Sequence, residues 1–131
     1  MMDANNAMIL GFVENLIFTT RVEGVIENEG MGVHWVTPLG DWIEPDYEKI
    51  ISLQPILILI DIDLAEIQWE SWIRAVKSNP ATAHIPLLCF GSHKNVDIFN
   101  AVYQAGADQV VARSRFFSSM PDLFRKFRSM S

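Results

Sequence analysis

Cysteine is nearly absent: Cys89 is the one thiol in 131 residues. That excludes an internal disulfide and a zinc cluster built on cysteines, and it suits a reducing compartment. Cys89 stands inside the apolar run IPLLCF, so it reads as an inert core thiol and not as a nucleophile. Basic residues are scarce too, 10 Lys and Arg against 16 Asp and Glu, and the net charge of −6 argues against general nucleic-acid binding. The shortage is uneven. Residues 1–70 carry thirteen acids and only Arg21 and Lys49 as bases, whereas half of all the bases (Arg113, Arg115, Arg125, Lys126, Arg128) lie in the last nineteen residues. This reads as a terminal helix with a solvated basic face; docking of an acidic partner is the alternative. No apolar run approaches the length of a membrane span. The opening MMDANN is acidic, unlike a secretory signal, so no membrane association and a cytoplasmic location are expected. Linkers, repeats and low-complexity tracts are missing as well, so a single domain over residues 1–131 is expected, with no second domain following it.

What is present is an alternation of short apolar strands and amphipathic helices. AMILGFV (7–13) reads as a buried strand, and the helix after it runs to a stop at Gly30. GVHWV (32–36) is a second strand, TPLGDWIEP a turn segment and DYEKIISLQ a short helix. PILILID is the third strand, an unbroken aliphatic run that ends on Asp61. Residues 66–78 place Trp69, Trp72, Ile73 and Val76 at helical core spacing, and Asn79-Pro80 ends that helix. HIPLLCF, NVDIFNAVYQAG and DQVVA supply strand, helix and strand. The last helix is expected to open in the Ser-rich SSMPDLFRKF, with Pro121 in its first turn. Strands that are apolar throughout, not alternating, are those of a parallel sheet covered on both faces. The expectation is therefore a (βα)5 α/β three-layer sandwich.

In such sheets chemistry gathers beyond the carboxyl ends of the strands. Four short stretches stand there: Val13-Glu14-Asn15, Asp61-Ile62-Asp63, Gly91-Ser92-His93 and Arg113-Ser114. Carboxylates converging with one guanidinium would suit a hard cation such as Mg²⁺ and a phosphoryl group. Other chemistries are weaker. His34, His84 and His93 fall on separate elements without ligand spacing, and Ser92-His93 has no nucleophile elbow around it. The first strand–helix turn, GFVENLIF, has no Gly/Ser/Thr-rich phosphate cradle for a flavin or nucleotide. Trp69 and Trp72 read as helix packing, with Trp69 partly covering the mouth beside Asp61; Trp42 reads as edge packing or an interaction anchor.

These residues resemble the receiver domains of two-component response regulators. NPATAHIP and AVYQAGAD carry the likeness most specifically, and Pro80 follows Asp61 at the family's usual nineteen-residue spacing. The resemblance implies a five-stranded parallel sheet of order 2-1-3-4-5, flavodoxin-like, and places Asp61 at the phosphoacceptor position. It also implies departures. The acidic pair after the first strand is matched by Val13 and Glu14, the hydroxyl residue ending the fourth strand by Gly91, and the lysine ending the fifth by Arg113. Ser114 replaces the following proline, Val110 the switch aromatic, and Ala65 and Trp69 the proline and glycine after the aspartate.

Asp61, Glu14 and Asp63 are thus candidate ligands of a weakly held Mg²⁺, which demands near-octahedral geometry; no other cofactor is implied. Arg113, Gly91 and Ser92 stand at the phosphate-binding positions, and Arg113 could instead pair with Asp61. With neither hydroxyl at 91 nor ring at 110, the family's transmission route lacks its moving parts. Two functions stay open. One is an atypical, non-enzymatic receiver that signals by protein–protein interaction, with aspartyl phosphorylation impaired or absent. The other is a stand-alone response regulator accepting a phosphoryl group on Asp61 from a histidine kinase with Mg²⁺. Expected partners are a histidine kinase or a downstream protein, or a second copy bound through the fourth helix, fifth strand and fifth helix, where Lys94, Asp97, Arg115 and Arg125 stand.

Overall fold

Residues 7–130 are described by the structure, a computed structural model. The MMDANN reading lies outside the described residues. Along the chain run β1 (Ala7–Phe12), α1 (Leu16–Asn28), β2 (Met31–Trp35), α2 (Tyr47–Leu53), β3 (Leu57–Asp61), α3 (Trp69–Ser78), β4 (Leu87–Gly91), α4 (Val96–Ala105), β5 (Gln109–Ala112) and α5 (Arg113–Ser129). A 3₁₀ turn, Leu39–Trp42, sits between β2 and α2, inside the expected turn segment. All strand pairs are parallel, in the order β2-β1-β3-β4-β5, as expected.

Each face of the sheet has its own core. Alternate residues of the central strands feed the two sides: Leu10, Phe12, Ile58 and Ile60 meet α2, α3 and α4, while Ile9, Val13, Leu57 and Leu59 meet α1 and α5. Phe12 is the hub of the first side, edge-on to Trp42, Trp69 and Trp72 at 5.5, 5.4 and 4.9 Å between ring centroids. Both buried indoles of α3 are satisfied: Trp69 Nε1 donates to the Leu64 carbonyl and Trp72 Nε1 to the Trp42 carbonyl. Trp42 is buried packing, not an exposed anchor. On the second side Phe90 stacks on Phe116 at 4.3 Å.

Local signals set most boundaries. Asn15 Oδ1 accepts from the N–H groups of Ile17 and Phe18 and starts α1; Gly30, with φ of +78°, follows its end in a conformation glycine adopts without steric cost. Two expectations need correction. The third helix opens at Trp69, not at residue 66, because residues 62–68 form a turn-rich loop closed by the Trp69–Leu64 hydrogen bond. The last helix opens at Arg113, directly from β5, so Pro121 lies in its interior. Buried Phe116, Met120, Phe124 and Phe127 make a helical stripe on the sheet, and that burial outweighs the backbone bond proline forgoes.

Candidate functional site

At the carboxyl end of the sheet, β3 delivers Asp61, β4 delivers Gly91 and β5 passes straight into Arg113. The register sets Asp61 beside Phe90 and Gly91 beside Ala112, so these positions share one rim. Asp61 is 5% exposed. Its Oδ1 accepts from Arg113 Nη2 at 2.9 Å and from the Asp63 N–H at 3.0 Å. Asp63 Oδ2 accepts from the same Nη2 at 2.7 Å and from the Ser92 N–H at 2.9 Å, while its Oδ1 accepts from Asn95 Nδ2 at 2.8 Å. One guanidinium therefore joins two carboxylates.

Arg113 is itself held. Its Cζ lies 5.3 Å from the ring centroid of Phe18 and 5.1 Å from that of Phe90, a cation between two aromatic faces. Its Nη1 is buried with no hydrogen-bond partner, so neither of that nitrogen's N–H groups meets an acceptor. The two carboxylates respond in opposite directions. Burial pushes the Asp61 carboxyl above its ordinary 3.8, and the bonds from Arg113 and the Asp63 N–H only partly offset it. Asp63 is more open; burial raises it too, but bonds from Arg113, Ser92 and Asn95 outweigh that and hold it below 3.8. The Arg113 guanidinium is pushed up: burial would lower it, and the two carboxylates more than compensate.

Of the residues singled out in the sequence, the structure brings together Asp61, Asp63, Arg113, Gly91 and Ser92. Glu14 is exposed on the rim beyond β1 and lines a separate cleft with Val13, Trp35 and Thr37. Among the described residues no three His, Cys, Asp or Glu side chains group in a way that could hold a metal ion. Ser92 takes part through its backbone N–H; its Oγ accepts from the Lys94 N–H instead. Gly91 leaves no room for the hydroxyl it lacks: a Cβ there would lie 2.8 Å from Ile62 Cγ1 and 3.0 Å from Asp63 Oδ1. Val110 is half-buried against the α3/α4-side core. Arg125, expected on the α4–β5–α5 face, is tied to Glu29 at the end of α1 and to Asp122.

Sequence reading missed three members. Asn95 looked like an ordinary helix start, yet its side chain makes no cap and reaches Asp63. Phe18 was not singled out and Phe90 stood only inside an apolar strand run, and nothing in their spacing to Arg113 announces the sandwich. Beside the carboxylates an open cleft of about 560 Å³, lined by Asp63, Leu64, Ile67, Trp69, Asn95 and Ile98, runs between the β3–α3 loop and α4. Trp69 lines it as a buried wall, 2% exposed.

No protein-family model matches the chain, and no curated protein matches it in sequence. Solved structures do. A response regulator from Hahella chejuensis superposes with a TM-score of 0.78 at 18% identity, over 93% of this chain and 95% of that one. The phosphorylated cyanobacterial phytochrome response regulator RcpA gives 0.78 at 18% identity, over 96% of each chain. The receiver domain of the sensor histidine kinase PA1611 from Pseudomonas aeruginosa PAO1, which has a magnesium ion in its active-site cleft, gives 0.75 at 16% identity, over 95% and 98%. The chain has the fold of response-regulator receiver domains, with the site at the same carboxyl rim of the sheet that open parallel folds use.

Proposed function

We propose that this chain is a receiver-like signalling module, residues 1–131 acting as one unit, that works through protein–protein contacts without aspartyl phosphorylation. One observation carries the reading: Arg113 holds Asp61 and Asp63 together where a receiver would bind metal and phosphate. Phosphoryl transfer to Asp61 needs one carboxylate oxygen as nucleophile and a cation free to meet the incoming group and neutralise its charge. Here Asp61 Oδ1 already accepts two hydrogen bonds, and an Arg113 wedged between rings would have to let go first. A magnesium ion would compete with that guanidinium for both carboxylates, and among the described residues no third acid groups with them, so its binding is weak. Gly91 has no hydroxyl to follow a phosphoryl group, and Val110 no ring to rotate.

The setting we propose is the cytoplasm, on the single buried thiol Cys89, which suits a reducing compartment; no helix among the described residues is long and apolar enough to cross a membrane. Partners are a histidine kinase or a downstream signalling protein, or a second copy through α4, β5 and α5, where Val96 and Tyr103 are exposed on α4. The net charge of −6 gives no reason to add nucleic acid to them.

A second reading, a regulator phosphorylated on Asp61, is favoured by the intact aspartate at the end of the central strand β3. Incubation with Mg²⁺ and acetyl phosphate separates the two. We expect no phosphoryl adduct by intact-protein mass spectrometry. A saturable adduct that disappears in Asp61→Asn would establish the second reading instead.

A further inference from the structure

The Asp63 carboxylate is bonded as an oxyanion ligand would be. Both oxygens are engaged, by a backbone N–H (Ser92), a side-chain amide (Asn95) and a guanidinium (Arg113). Those donors sit on the β4–α4 loop, at the start of α4 and at the start of α5, so one side chain ties the β3–α3 loop to both neighbouring segments. Charge-assisted bonds of this kind are about twice as strong as neutral ones. The seat exists only because position 91 is glycine, since any Cβ there would meet Asp63 Oδ1 and Ile62. The cation is backed on that seat by Phe18 and Phe90, whose ring centroids lie 5.3 and 5.1 Å from its Cζ.

We propose that Asp63 is a built-in stand-in for a phosphoryl group on the adjacent Asp61, drawing Ser92, Asn95 and Arg113 into the arrangement an oxyanion would impose. The β4–α4 loop and the start of α4 are thereby held in one state with no phosphate present. This rests on the phosphorylation-independent reading above and gives it a mechanism. It also links positions 91 and 63: a side chain at 91 and the Asp63 carboxylate where it now stands would contend for the same space.

The test is amide hydrogen exchange of residues 92–99 in the wild-type chain, Asp63→Asn and Asp63→Ala, each with and without inorganic phosphate. The Asp63 side chain is 26% exposed and outside both cores, and Asp63→Asn keeps its shape, so folded protein is available in at least one variant. In the wild type, exchange at Ser92 is slow and indifferent to phosphate. Asp63→Ala, which removes the acceptor, exchanges there roughly 10- to 100-fold faster; Asp63→Asn, which keeps a neutral acceptor, is faster by less; and phosphate slows Asp63→Ala back toward wild type by occupying the emptied seat. Unchanged exchange in the variants overturns the proposal. So does fast exchange that phosphate fails to slow, which would leave Asp63 a loop tether only. The acetyl phosphate experiment on wild type tests the parent reading separately, so the two can fail independently.

Discussion

Two polar clusters sit at opposite ends of the same sheet, and each joins a cation, a carboxylate and a backbone N–H around a glycine. At the amino end of β4 and β5, Lys77 Nζ donates to the Ala83 and Ile85 carbonyls and to Asp108 Oδ2, which also accepts from the Leu87 N–H. Three donors of one ammonium meet three acceptors. The Lys77 stem crosses Gly106, where a Cβ would lie 2.7 Å from its Cγ. At the carboxyl end, two carboxylates share one guanidinium nitrogen and Arg113 Nη1 has no partner. The first cluster balances its charge and spends its donors; the second has one negative charge in excess and a donor nitrogen left over. Closed polar networks stabilise, whereas incomplete ones mark where a fold gave up stability for a function. The carboxyl-end cluster is the functional candidate for that reason, and the amino-end one is a clasp.

That contrast can be broken by substitution. The largest effect belongs to the clasp. Lys77→Met leaves two carbonyls and Asp108 without their donor and should lower stability by about 2–3 kcal/mol, read from urea unfolding, with Ser92 exchange unchanged. Because Asp108 is 41% exposed, the carbonyl bonds supply most of that loss and the ion pair little. Next comes Gly91→Ser, which restores the hydroxyl but forces Ile62 and Asp63 aside, at about 1–3 kcal/mol. Combining it with Asp63→Ala should cost less than the sum of the two, by roughly 1 kcal/mol in a double-mutant cycle; strict additivity would mean that positions 63 and 91 do not share a space.

Arg113→Gln should be milder, about 1–2 kcal/mol near neutral pH, because both carboxylates lose their cation while the rings keep their packing. Acid should erase much of that loss as the carboxylates take up protons.

The smallest effect is the most diagnostic. Asp61 has its carboxyl raised above 3.8 by burial, so the folded chain holds that proton more tightly than the unfolded one. Its contribution favours folding at low pH and is withdrawn as pH rises from 3.8 through the folded value. Asp61→Asn should therefore be neutral or slightly stabilising near neutral pH, read from urea unfolding. Asp63 runs the other way. Its stabilisation is present above 3.8 and lost as pH falls through its lowered folded value, and Asp63→Asn should flatten that acid limb of the stability curve.

Much of this was legible in the chain. PILILID announced a strand buried on both faces, and the alternation of such runs with amphipathic segments announced the parallel sheet, because hydrophobic periodicity is local. Asp61, Asp63, Gly91 and Arg113 could be placed on one rim from the strand ends alone. The start of α5 was not legible: Ser118-Ser119 followed by Pro121 is a good local helix opening, but the sheet's need for Phe116 pulled the helix back to Arg113. Asn95 was misjudged as a mere helix start for a similar reason, since its partner lies 32 residues away.

Residue order, then, specified the elements, their parallel arrangement and the stock of charged groups at the carboxyl rim, because these follow from periodicity and the positions of strand ends. Which carboxylate Arg113 would take was a question of tertiary structure. The guanidinium lies between Phe18 of α1 and Phe90 of β4, and from there one nitrogen reaches both Asp61 and Asp63. Contacts spanning 50 and 52 residues have no local signature; they appear only when packing fixes where each side chain stands.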